Sequence, residues 1–140
     1  MKPLVTFGVP DTLMRDYLRP LLLARPESYA PNTVTDGFPA SGFTDTHLQV
    51  ELETGDADDY PVTERAQVRF NVWAPKGKPT DAKNAASLVM AYVYATESVA
   101  GIAGTEILGG RSEVVTDPTT GYEMCWFLAR VNLLATPLAS

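Results

Sequence analysis

The chain has 140 residues, 45% of them apolar and 20% charged, the composition of a folded globular protein and too rich in core-forming side chains for intrinsic disorder. Seventeen acidic against eleven basic residues leave a net charge of −6, so the surface as a whole repels polyanions and carries no electrostatic footprint for nucleic acid. A single cysteine, Cys125, excludes an intramolecular disulfide framework; the start Met1-Lys2-Pro3-Leu4 is too poor in apolar residues for a secretory signal, and the longest apolar run, Leu88 to Ala95, falls well short of a membrane span. Folding as one domain, residues 1–140, in a reducing cytoplasm is the expectation.

Val9-Pro10-Asp11-Thr12 predicts the start of a first helix, with Asp11 or Thr12 as its cap. Leu13, Met14, Tyr17, Leu18, Leu21 and Leu22 follow at helical spacing. Pro20 has no amide hydrogen to offer the carbonyl of Asp16, which predicts a kink or a distorted last turn, and Pro26 ends the segment. Residues 26–46 carry Pro31, Gly37, Pro39 and Gly42 and read as an extended, partly ordered arm with at most one short strand, Thr33 to Thr35.

Leu48, Val50 and Leu52 alternate with polar residues, as do Ala66, Val68, Phe70 and Val72, so the two segments read as an antiparallel hairpin closed by Thr54 to Pro61. After Pro75-Lys76-Gly77-Lys78-Pro79, Thr80 or Asp81 is expected to cap a second helix running to about Ser98. Its second half is apolar around the whole circumference, so one sheet cannot cover it and a second surface must pack there. Thr105 to Val115 reads as a strand bulged at Gly109-Gly110. Thr116 to Gly121 is a turn, and Tyr122 to Leu134 is a long strand, central in the sheet. The expected class is α+β: a mostly antiparallel sheet of four to five strands with two helices packed on one face.

No catalytic, cofactor-binding or metal motif emerges. His47, the lone histidine, reads as an exposed strand residue, and Cys125, between Met124 and Trp126, as a small buried core residue. Asp56, Asp58 and Asp59 lack the ligand spacing of a calcium loop, since Pro61 and Gln67 stand where glycine and glutamate are required; they read as an exposed, solvated hairpin tip. The glycines at 101, 104, 109 and 110 fit neither a dinucleotide fingerprint nor a phosphate loop.

The strand Ala66 to Ala74, the alanine-rich helix Asp81 to Ser98, the glycine-bearing strand after it, Asp117-Pro118-Thr119-Thr120-Gly121-Tyr122 and the final long strand together resemble the tail terminator proteins of long-tailed, non-contractile bacteriophages, the siphophages. The resemblance spans residues 45–135 and rests on layout; no family motif transfers residue by residue. It implies structural work without cofactor or catalysis: a homohexameric ring that caps the major tail tube protein, ends its polymerisation and meets a head-side connector or stopper, with DNA passing through the lumen unbound. It places the chain in the virion, at the head-proximal end of the tail. Leu88, Met90, Tyr92 and Tyr94 on the second helix and Pro31, Phe38 and Phe43 on the arm are the candidate subunit contacts. Two other readings stand beside it: another neck or head-tail connector component of such a virion, and a small-molecule enzyme or ligand-binding domain with a defined pocket.

Overall fold

The computed structural model describes residues 4–56, 63–99 and 101–138. In chain order these form β1 (Val5–Thr6), α1 (Pro10–Leu23), β2 (Thr33–Thr35), β3 (His47–Asp56), β4 (Thr63–Ala74), α2 (Pro79–Tyr94), β5 (Glu97–Val99), β6 (Ile102–Leu108), β7 (Val115–Thr116), β8 (Glu123–Leu134) and β9 (Thr136–Pro137). The main sheet has seven strands, not four to five: β2-β3-β4-β8-β6-β5, with β7 alongside β8. β2 falls at Thr33–Thr35, where a short strand was expected; the two strands beyond five, β5 and β7, have three and two residues, too short for any periodicity to announce them. All pairings in it are antiparallel except β2 with β3. β1 and β9 form a separate small ladder that joins the two ends of the described chain.

Period-two patterning decides the layers. Leu48 and Val50 of β3, Val68, Phe70 and Val72 of β4, and Cys125, Phe127, Ala129, Val131 and Leu133 of β8 share one face of the sheet and are buried. Against them lie Met14, Leu18 and Leu22 of α1 and Ala82, Ala85, Ala86, Val89 and Val93 of α2, in one continuous core. α1 covers the β2–β3 margin, whereas α2 covers β8, β4 and β6. Small residues on the inward side of α2 let the helix lie close to the sheet.

Several boundaries differ from expectation. Each helix begins at least two residues earlier, at a proline in the first turn: Val9 and Lys78 are the N-caps and neither has a side-chain cap bond, while Asp11 and Asp81 fall inside the first turn, where a carboxylate suits the helix dipole. Pro20 is accommodated within α1, which ends at Leu23. α2 stops at Tyr94 because the hydroxyl of Thr96 takes the Tyr92 carbonyl (2.8 Å) and the chain leaves to pair Glu97 and Val99 with Gly104 and Ile102. Gly109, at φ +75°, ends β6, so the strand is interrupted at Gly109-Gly110 as expected, but by a break and not a bulge; the irregularity in the ladder lies at Ile102–Gly104.

Candidate interaction surfaces

The arm begins as the edge strand of the main sheet. β2 lies parallel on His47–Gln49, and α1 holds it from the other side through Arg19, whose Nη2 donates to the Val34 carbonyl at 2.8 Å. The chain then crosses the face of the sheet that carries no helix. Phe38 meets Trp73 edge to face (centroids 5.7 Å apart), and Phe43 meets Tyr122 in the same way at 4.8 Å. Beneath this cover the indole Nε1 of Trp73 and the amide of Asn71 both donate to Gln49 Oε1, at 3.1 and 3.2 Å.

His47 is therefore buried, not exposed as its place in an alternating strand suggests, because the arm covers the side that strand parity assigns to water. Its Nε2 lies 2.8 Å from the Gly37 carbonyl and its Nδ1 2.6 Å from the Thr33 hydroxyl. That network assigns the proton to Nε2, with Nδ1 accepting from Thr33. Burial pushes the imidazole pKa below its ordinary 6.5, against a smaller upward pull from the Gly37 carbonyl. Two open clefts, of about 430 and 350 Å³, share Phe38 as a wall; His47, Phe43 and Asp45 line the larger, Trp73, Asp117 and Tyr122 the smaller.

On the helical side, the circumference of α2 divides three ways. Val89 and Val93 enter the core, and Leu88, Met90 and Tyr92 are half-buried against it. Tyr92 lies near Arg25, just beyond α1. Tyr94 is left 75% exposed. Between α2 and β6 runs an open groove of about 480 Å³ with walls from Met90, Ala91, Tyr94 and Ile107, and Arg111 at one end. Of the arm candidates, Pro31 is buried in the chain itself, Phe43 is half-buried on Tyr122, and Phe38 is 75% exposed. The structure thus brings Phe38 and Phe43 together at one end of the helix-free face and holds the α2 residues on the other face.

A third surface was not singled out from the sequence, although the alternation of Tyr122 to Asn132 contains it. On the helix-free face Trp126 and Leu128 of β8 are half-buried beside Arg69, whose guanidinium lies 4.4 Å from the Trp126 ring. Arg69 also lies 3.9 Å from both Glu51 and Glu53, and Arg130 pairs with Glu106 at 3.2 Å. Charges there are internally matched.

Asp56 is the last residue of β3, and Asp58 and Asp59 lie outside the described residues. Among the described residues no three His, Cys, Asp or Glu side chains converge to hold a metal ion, and no helix is long and apolar enough to cross a membrane. Cys125 is fully buried, its thiol 3.3 Å from the Ser112 carbonyl, and burial raises its pKa.

The molecule is thus an α+β protein with one curled, mostly antiparallel sheet, helices on one side and an arm on the other. No protein-family model matches the sequence, and a search of curated proteins finds no match. The fold is similar to that of a chain in the virion of a native gene transfer agent particle, with a TM-score of 0.56 and 18% identity over 72% of this chain and 78% of that one.

Proposed function

We propose that this chain is a structural protein of a phage-like virion, without enzymatic activity, and that it acts as a tail terminator: one domain that assembles into a homohexameric ring on the end of the tail tube, stops tube growth and presents its other side to the head connector. The observation that carries the reading is the fold shared with a gene transfer agent virion chain across nearly three-quarters of this sequence. The order of elements from residue 45 to 135 supports the finer assignment within such a particle. A 140-residue domain behaves as a sphere about 37 Å across, and six in a closed ring leave a hole about as wide as one subunit, room for duplex DNA. The partners are then further copies of itself, the tail tube protein and a head-side connector or stopper. DNA traverses the lumen without specific contacts.

The test is location and stoichiometry. Labelled chain in intact particles should sit at the head-proximal end of the tail with six copies, and purified chain should cap isolated tail tubes. Binding to the connector in place of the tube assigns it to another neck component; absence from the particle overturns the reading altogether.

A further inference from the structure

We propose that neighbouring copies of this chain join head to tail, the arm of one, with Phe38 and Asp36, seating in the α2–β6 groove of the next beside Arg111 and Lys83; the proposal rests on the ring reading above. Phe38 and Tyr94 are both 75% exposed. Phe38 stands over Trp73 on the helix-free face, whereas Tyr94 borders the groove on the helical face, so the two cannot meet within one chain. Two different patches on opposite faces are what a ring with head-to-tail contacts requires. The groove is apolar on its walls and, at about 480 Å³, has ample room for a benzyl side chain.

Charge selects the partner. The arm, residues 26–46, carries three carboxylates, Glu27, Asp36 and Asp45, and no Lys or Arg. The groove has the opposite sign: Arg111 is held by the Lys83 carbonyl (3.1 Å) and the Ser87 hydroxyl, and among the described residues no carboxylate is ion-paired with Arg111 or Lys83. Arm on arm would oppose Asp36 and Asp45 to their own copies, and groove on groove would oppose Arg111 to Arg111. Only the arm-to-groove pairing brings unlike charges together, which disfavours a two-fold dimer and favours a propagating contact.

The experiment uses Phe38→Cys and Tyr94→Cys in the full chain, both exposed positions away from the core, with Cys125 buried. Under a mild disulfide oxidant, an equimolar mixture of the two variants should give a covalent 38–94 dimer, each variant alone should not dimerise, and the double variant should give a ladder ending at six. Arg111→Glu in the Tyr94→Cys chain should slow the mixed cross-link roughly fivefold, and Asp36→Lys in the partner should restore it. Mass photometry of the unsubstituted chain, alone and on tail tubes, runs in parallel. Rings without the 38–94 link, or equal dimerisation of one single-cysteine variant with itself, overturn the pairing and leave the ring standing. Absence of both link and rings overturns pairing and ring together, and linkage to tube protein instead reassigns the arm to the tube.

Discussion

At the residue scale, His47 is the described side chain whose titration the fold shifts next to neutral pH. Its folded pKa lies below 6.5 because the arm keeps water from the ring. The neutral ring is favoured in the folded chain, so its stabilisation is complete above the unfolded value of 6.5 and is lost as pH falls from there through the lowered folded value. Glu27, held low by Arg25, and Asp117, held low by the Thr119 amide and Thr120 hydroxyl, lose their contribution only below their ordinary 4.5 and 3.8, so the window above about pH 5 belongs to His47. Urea midpoints measured between pH 7.5 and 5 should fall for the native chain and fall less for His47→Gln; identical slopes would remove His47 from the account. In the core, Phe70 and Phe127 are paired across β4 and β8, fully buried and stacked at 4.9 Å. Phe127→Ala should cost about 3–5 kcal/mol in urea unfolding, through lost transfer energy and the cavity left behind. A loss below about 1 kcal/mol would mean that the sheet and α2 close over the gap.

At the element scale, α1 is fastened to the sheet by more than its apolar stripe. Arg15 is half-buried and donates to Asp11 at 2.9 Å, to Thr12 Oγ1 at 3.0 Å and to the Val50 carbonyl at 3.1 Å, on the margin of β3 beyond the reach of β2. Arg15→Met keeps the aliphatic stem and removes all three bonds. It should cost about 1–3 kcal/mol, and Arg15→Lys should recover little, because one ammonium cannot match the fork that spans three acceptors. Denaturation of the two variants checks this, and full recovery by lysine would show that charge alone matters. These long elements were legible in the sequence because each has a strong period: α1, the β3–β4 hairpin, α2 and β8 all fall within a few residues of their expected ranges. Of the arm, the short strand Thr33–Thr35 was legible, and the rest only as a stretch of prolines and glycines. Where it lies depends on Phe38 and Phe43 finding Trp73 and Tyr122, contacts between residues 35 and 79 positions apart that no local pattern encodes. His47 was misread for the same reason. The apolar outer half of α2 was visible, but how it divides between the core and open solvent follows from the tertiary placement of Tyr92 and Tyr94.

At the scale of the whole molecule, the proposed ring has to surround DNA without holding it. The net charge of −6 opposes adsorption on average, but adhesion depends on local cations that are free of carboxylates. Among the described residues Lys76, Lys78, Lys83 and Arg111 have no ion-pair partner, whereas Arg15, Arg19, Arg25, Arg69 and Arg130 do. These four release about four counterions between them, so their contribution to any affinity for duplex DNA should fall with log salt at a slope of about −4, and the dissociation constant at physiological salt should stay above about 10⁻⁴ M. Head-to-tail assembly removes two of the four, since Lys83 and Arg111 then face the acidic arm of the neighbour. The assembled ring should therefore bind DNA more weakly per subunit than the single chain does at low salt, the reverse of what multivalency gives a ring with a basic lumen. Fluorescence anisotropy of a labelled duplex, titrated with chain and with assembled rings at 20 and 150 mM salt, distinguishes the two. Submicromolar binding by rings at 150 mM would mean that Lys76 and Lys78 line the passage and grip the DNA, and free passage would have to be abandoned.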